Sequence, residues 1–218
     1  MFSLSEENYL KAIFHLEHNY QGGVSTNALA EEMETKASSV TDMVKKLSEK
    51  NLVNYKKYQG VKLSATGKRT AVEVIRKHRL WEYFLVEKLN FNWDEVHEVA
   101  EELEHIKSEK LITELDRFLE YPRRDPHGDP IPDAQGNFNV SNRMLLAELE
   151  KGKSGICIGV KDSSPDFLRY LDKNKIVLGK EMQVIEKESF DNSMLININE
   201  QQLRISQAVA MNLYIKTL

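Results

Sequence analysis

The chain has little cysteine, proline or glycine: one, five and ten residues of 218. With Cys157 alone, no internal disulfide can form, which fits a reducing compartment and leaves that side chain the part of a small buried hydrophobe. No apolar run approaches the roughly 20 residues needed to span a bilayer, and the opening MFSLSEENYL is too polar for a signal peptide. The expectation is therefore a soluble protein of the cytoplasm that does not enter a membrane. Neither a Gly-rich phosphate loop, nor HExxH, nor a recognisable nucleophile motif is present, so the common enzyme signatures are absent. What is plentiful is apolar residues, 41%, and charge, 29%, enough for the core of one or two globular domains.

The formal net charge of −4 hides an asymmetry. Residues 36–62 carry seven lysines against Asp42 and Glu49, whereas residues 91–120 carry ten carboxylates against Lys107, Lys110 and Arg117. The first region suits a polyanion and the second suits cations.

The lysine-rich region has a matching pattern. Leu4, Leu10, Ile13, Phe14 and Leu16 recur at helical spacing after a Ser3-x-x-Glu6 capping box, and Gly22-Gly23 ends that helix. STNALAEEM (25–33) and SSVTDMVKKLSEKN (38–51) then read as two short helices joined by a turn, a helix-turn-helix. Ser39 with Asp42 is the expected cap of the second, and Val40, Val44 and Leu47 its buried face. LVNYKKYQGVKLSATGK follows with alternating polarity around a turn at Gln59-Gly60, a β-hairpin wing. Short polar side chains at the start of a recognition helix reach base edges, and cations around it meet phosphates. Lys36, Ser38, Ser39, Thr41 and Asp42 fit the first role, and Lys45, Lys46 and Lys57, with Lys56 and Lys62, fit the second. Double-stranded DNA is the expected partner.

The acidic region holds another pattern. Residues 76–109 contain three of the six histidines, His78, His97 and His105, each within four positions of a glutamate. At about 100° per residue, His97, Glu101, Glu104 and His105 fall on one helical face, and Val96, Val99, Leu103 and Ile106 on the other. His78 and Glu82 repeat the i, i+4 spacing on the preceding helix. Imidazoles and carboxylates so arranged can converge on one or two divalent cations, with no soft thiolate among them.

The chain resembles the diphtheria-toxin-repressor-like metalloregulators, the iron- and manganese-dependent repressors, along nearly its whole length. The resemblance rests on EENYLKAIF, SSVTDMVKKL, RKHRL, VHEVAEELEH and PHGDPIP. It implies a metal-activated homodimer on a palindromic operator. It also implies primary ligands at Asn8, Glu101, Glu104 and His105, and a second position at His78, Glu82 and His97. Asp125 and His127 would assist the second position, as in manganese-type members, together with Asp166 or Asp162. Asn8 stands where iron sensors carry methionine and manganese sensors aspartate, and Glu101 where iron sensors carry cysteine. A carboxylate in place of a thiolate favours the harder ion, so Mn(II) is the expected cofactor and Fe(II) the alternative. Lys11 stands where the small two-domain manganese regulators have a glutamate ligand. Leu80, Trp81, Phe84 and Leu85 are candidates for the dimer contact, with ordinary core as the other reading.

Four of the five prolines lie in YPRRDPHGDPIPDAQGNF (121–138), an ordered loop or linker. GICIGV, IVLGKEMQVIEK and SMLININ then read as β-rich, with one helix near SPDFLRYLDK. The expected architecture is mainly α with β. It comprises a winged helix-turn-helix at 1–72, a helical metal-binding and dimerisation domain at 73–143 with the Pro-rich loop, and a small β-barrel at 144–218. The expected function is a metal-dependent transcriptional repressor controlling metal uptake, with no enzymatic activity. A helix-turn-helix regulator of an organic effector and a metal-dependent enzyme are the alternatives.

Overall fold

A computed structural model describes residues 2–17, 20, 22–56, 59–139 and 142–218. The chain divides into two compact units. Unit 1 comprises Met1–His78, Glu101–Leu115 and Pro132–Asn137, and unit 2 comprises Arg79–Ala100, Asp116–Ile131 and Phe138–Leu218.

Unit 1 opens with helix α1 (Leu4–Glu17). Its capping box forms: Glu6 N–H donates to Ser3 Oγ (3.3 Å), and Ser3 N–H returns to Glu6 Oε2 (3.1 Å). Tyr9, Leu10, Ala12 and Ile13 are buried beneath it. Helix α2 (Thr26–Glu32) is capped by Ser25, whose Oγ accepts the Ala28 N–H at 3.0 Å. Helix α3 (Ala37–Glu49) buries Val40, Val44 and Leu47 as its spacing requires. The expected cap at Ser39 does not form. The N-cap is Lys36, without a side-chain bond, because Ala37 and Ser38 are already helical and leave Ser39 exposed inside the first turn.

The hairpin is present. Strands β1 (Val53–Lys56) and β2 (Gly60–Leu63) pair antiparallel from Val53↔Leu63 to Lys56↔Gly60. Gly60, expected in the turn, is instead the first residue of β2. At φ +82° a side chain there would be strained, and a Cβ would come within 2.8 Å of the Gly23 and Val24 backbone. That close approach lets Val24 and Val61 exchange both backbone hydrogen bonds, tying β2 to the entrance of α2.

Helix α4 (Ala65–Leu89) follows, capped by Ser64 Oγ on the Gly67 N–H at 3.0 Å. Helix α5 (Val96–Leu103) is shorter than its pattern suggests, and α6 (Glu109–Phe118) completes the helical part. Glu104 and His105 lie in the turn after α5, not on its face, and Glu104 is fully buried while Val99, Leu103 and Ile106 are only partly so. The chain leaves the helix where Glu104 turns inward to buried polar partners. Of the four candidates for the dimer contact, Leu80, Trp81 and Leu85 are buried within the single chain and Phe84 is partly exposed; its ring packs edgewise on Trp81.

The C-terminal part of unit 2 is a six-stranded antiparallel sheet. Strands β3 (Met144–Leu145), β4 (Ser154–Val160), β5 (Glu181–Lys187), β6 (Met194–Ile198), β7 (Gln201–Ile205) and β8 (Leu213–Thr217) lie in the order β3-β8-β4-β5-β6-β7. Helix α7 (Pro165–Lys173) packs Leu168 and Leu171 into the core beside Met182, Val184, Ile196 and Ile215, and a short helix α8 (Gln207–Ala210) precedes β8. The expected barrel is not closed. Among the described residues β3 and β7 each pair on one side only, and a two-residue β3 offers too few ladder bonds to seal a barrel. Bulges at Cys157/Gly159 and Val184/Glu186 bend the sheet without closing it. Cys157 is buried in this core, and burial pushes its thiol up to about 11, so it is the inert hydrophobe expected.

One ion-pair group fixes α3 against α1. Glu6 is 1% exposed, and its Oε1 lies 2.6 Å from Lys50 Nζ and 3.0 Å from Lys46 Nζ. Burial alone would raise its pKa, but Lys50, the Ser3 N–H and Lys46 outweigh it and bring the carboxyl from 4.5 down to about 2. Because the folded-state value is depressed, this stabilisation is complete above pH 4.5 and is lost as the pH falls toward about 2. Glu6→Gln should cost about 1–2 kcal/mol at neutral pH and flatten the acid-unfolding curve over that window, followed by circular dichroism. An acid profile identical to wild type would show that the pair does not carry this linkage.

Candidate functional site

Among the described residues, side chains able to hold a metal ion gather in a group in each unit. In unit 1, α1 supplies Glu7, Asn8 and Lys11 from one face, α4 supplies His78, and the segment from the end of α5 supplies Glu101, Glu104 and His105. Glu104 is the centre: Lys11 Nζ lies 2.7 Å from its Oε1 and 2.9 Å from its Oε2, and His78 Nδ1 lies 2.6 Å from Oε2. Burial would raise the Glu104 pKa, but the His78 hydrogen bond and the Lys11 charge pull it below the usual carboxylate range. Glu101 Oε1 is 3.2 Å from the same ammonium. His105 Nδ1 is 2.6 Å from Glu7 Oε2, and its Nε2 is 3.6 Å from Glu104 Oε1. Asn8 Oδ1 is buried without a hydrogen-bond partner. A buried amide oxygen left unpaired costs about 1–3 kcal/mol, so this hard donor fits a cation that would complete it.

In unit 2, Glu82, Asp125 and His127 are all buried, and each offers a ligand atom within 4.8 Å of the others. His97 adjoins them from α5, its Nδ1 3.4 Å from Glu82 Oε1 and its ring more than half exposed. The 123–131 segment of the Pro-rich stretch is built to present this group. Asp125 Oδ1 accepts the N–H groups of His127 (2.9 Å) and Asp129 (3.0 Å), and Arg79 Nε approaches its Oδ2 at 3.4 Å. Gly128, at φ +91°, lies so close to β4 that a Cβ would meet Ile158 O at 2.2 Å. The Val160 N–H donates to His127 O beside it (2.9 Å). His127 Nε2 is 2.8 Å from the Trp93 carbonyl, and the Trp93 ring stacks on the imidazole at 6.1 Å. A proton on Nε2 serves that carbonyl and turns Nδ1, 3.6 Å from Glu82 Oε2, toward the group. Burial works against a charged imidazole, yet Glu82 and Asp125 outweigh it and raise His127 to about 9. Burial and the Glu82 charge raise Asp125. The donor set of hard oxygens and imidazole nitrogen suits Mn(II) or Fe(II) more than thiophilic ions.

The structure thus gathers Asn8, His78, Glu101, Glu104 and His105 in unit 1 and Glu82, His97, Asp125 and His127 in unit 2. It does not bring Asp166 to the unit 2 triad: that carboxylate is 98% exposed and 2.7 Å from Arg169. Asp162 Oδ1 accepts the Ser164 N–H at 2.8 Å. Sequence reasoning overlooked Glu7, Arg79 and Trp93. Glu7 had a signal, an acid four residues before Lys11 on a helix whose apolar face is otherwise regular, but Arg79 and Trp93 reach Asp125 and His127 from distant parts of the sequence, which no local pattern reveals.

On α3, Lys36, Ser38, Ser39, Asp42 and Lys45 are exposed, with Asp42 and Lys45 3.6 Å apart. Thr41 spends its hydroxyl proton on Ala37 O (2.8 Å), and Lys46 turns back to Glu6. Lys57 lies outside the described residues. No helix among the described residues is long and apolar enough to cross a membrane.

Three family descriptions match successive parts of the chain. Residues 1–61 match the N-terminal DNA binding domain of iron dependent repressors, 64–133 their metal binding and dimerisation domain, and 144–217 the FeoA domain. A solved manganese-dependent transcriptional repressor in complex with manganese is 34% identical, with a TM-score of 0.87 over 98% of this chain and 100% of that one. The iron-dependent repressor IdeR of Mycobacterium leprae is 34% identical over 154 residues, 67% of this chain and 66% of its own length. A probable metal transport system membrane protein of Chlamydia trachomatis is 36% identical over 138 residues, 61% of this chain but only 30% of its own length.

Removing one partner of a buried charge group leaves the others uncompensated. Glu104→Ala should therefore destabilise the metal-free chain by about 3 kcal/mol or more, whereas Asp166→Ala should stay within about 0.5 kcal/mol of wild type. Urea unfolding in the presence of chelator measures both, and equal midpoints for the two variants would contradict the central place of Glu104.

Proposed function

Because the chain belongs to the diphtheria-toxin-repressor-like family of iron- and manganese-dependent repressors, we propose that it is a metal-activated transcriptional repressor. It acts as a homodimer on operator DNA in the cytoplasm, controls metal uptake and is not an enzyme. The observation that carries this reading is the pair of buried oxygen and nitrogen donor groups in a chain that also carries a helix-turn-helix and wing. Residues 1–72 form its DNA-binding domain, 73–143 its metal-binding and dimerisation domain, and 144–218 a further β domain.

Asn8, Glu101, Glu104 and His105 would hold one ion, and His78, Glu82 and His97, assisted by Asp125 and His127, would hold a second. Mn(II) is the favoured ion, because Glu101 gives the unit 1 group a carboxylate and no thiolate; Fe(II) is the alternative. A bound divalent ion supplies concentrated positive charge and a demand for several hard donors at once. The protein's part is mechanical. Asn8 and Glu7 sit on α1 immediately after Glu6, whose Lys46 and Lys50 partners anchor α3. Drawing α1 toward the Glu101–His105 segment therefore orients α3, whose exposed Lys36, Ser38, Ser39, Asp42 and Lys45 and half-buried Thr41 would face a major groove, while Lys57 would meet phosphates. The two equilibria are linked, so an ion that tightens DNA binding is itself bound more tightly on DNA by the same factor.

Operator binding by the full chain should be weak in chelator and should tighten with Mn(II), less with Ca(II), in anaerobic titrations that also include Fe(II) and Zn(II). Equal DNA affinity with and without every ion would overturn the reading. Affinity should also fall steeply with salt, and Lys45→Ala should reduce the slope of log K against log salt by about one.

A further inference from the structure

The anions that unit 1 would offer to an ion already surround a cation of the chain's own. Lys11 lies one turn after Asn8 on α1, and its side chain is 15% exposed. Its ammonium reaches both oxygens of Glu104, at 2.7 and 2.9 Å, and Glu101 Oε1 at 3.2 Å. His78 takes the other side of Glu104 Oε2 at 2.6 Å. Every oxygen of the buried Glu104 carboxylate is thus engaged by a protein nitrogen. A divalent ion bonded to those oxygens would sit about 2.0–2.5 Å from them, within contact distance of the ammonium, so the two positive charges exclude each other.

We propose that Lys11 is an intramolecular counter-cation that sets the metal threshold of the unit 1 group, an inference that rests on the metal-sensor reading. While the ammonium is in place, Glu104 is buried without an uncompensated charge and α1 is tied to the Glu101–Glu104 segment. An ion gains Glu101 and Glu104 only as the ammonium withdraws. The long flexible stem of lysine, with its compact charge, suits a group that must leave and return. The exchange makes metal binding weaker than the same donors would give alone, so the group fills only at a higher free-ion concentration. It also lets the metal-free chain stay folded in spite of its buried carboxylates.

The test uses the full chain with Lys11→Met, which keeps length and removes charge, Lys11→Gln as a second neutral variant, and Lys11→Arg, which retains the charge. All are made in both the wild-type and a His127→Ala background, so that the unit 2 group can be subtracted. Mn(II) binding is read by equilibrium dialysis with metal analysis, and the thermal unfolding midpoint is read in chelator and in excess Mn(II). The neutral variants should bind Mn(II) about tenfold or more tightly, melt lower than wild type in chelator, and recover at least the wild-type midpoint in Mn(II). Lys11→Arg should not gain affinity. Neutral variants that bind Mn(II) no more tightly than wild type, or that stay unfolded in excess Mn(II), overturn the counter-cation while leaving the sensor reading intact. Failure of the wild-type chain itself to bind Mn(II) overturns both.

Discussion

Burying carboxylates against the first helix is the constraint from which most of unit 1 follows. Glu6, Glu7 and Glu104 are each less than a tenth exposed, and a buried carboxylate is tolerated only when cations or hydrogen-bond donors reach it. Each therefore dictates a partner from another part of the chain: Lys46 and Lys50 for Glu6, His105 for Glu7, Lys11 and His78 for Glu104. The same short helix consequently touches the helix that would read DNA and the residues that would bind an ion. A chain held together by charge pairs at this spot is responsive by construction, because any change in cation occupancy changes which pairs are made.

Unit 2 solves a related problem by other means. Its Glu82, Asp125 and His127 are presented by a helix and a Pro-rich segment, and that segment is rigid because Gly128 lies flat on β4 and Asp125 caps its own turn. Arg79 donates to Pro130 O at 2.6 Å and so holds both ends of the segment to α4. Trp93 orients His127 through its backbone carbonyl and its ring. Groups placed this firmly need little rearrangement to receive an ion, which keeps the entropic cost of binding small. Unit 1, where Lys11 must move, lacks that advantage.

Membership in the repressor family accounts for the order of the parts. Asparagine at position 8 leaves a neutral amide oxygen buried and unpaired, and Glu101 supplies oxygen where sulfur would favour softer ions. The C-terminal sheet, matched by the FeoA description, ends in unpaired edges at β3 and β7 among the described residues.

Periodicity alone was enough for the helix-turn-helix, the hairpin, the strands β4, β5 and β6, and the helix α7, because each is an apolar face repeated at 3.6 or 2 residues with clear breakers between. Spacing also marked His78, Glu82, His97, Glu101, Glu104 and His105, since imidazoles and carboxylates so dense have few other uses, whereas Asn8, Asp125 and His127 came only from the resemblance to the repressor family. Local pattern could not show that α5 stops before Glu104, that Lys36 and not Ser39 begins α3, or that the C-terminal sheet stays open. Those outcomes depend on which distant groups a residue meets: Glu104 turns inward because Lys11, 93 positions away, neutralises it there. Nor could spacing along one helix assign His78 to Glu104 or Glu82 to Asp125 and His127, since segments far apart in sequence bring those atoms together. The sequence by itself determined the kinds of donor and the surfaces able to carry them; the tertiary structure decided which donors meet and which cation already stands among them, because the energy of a buried charge is set by its neighbours in space.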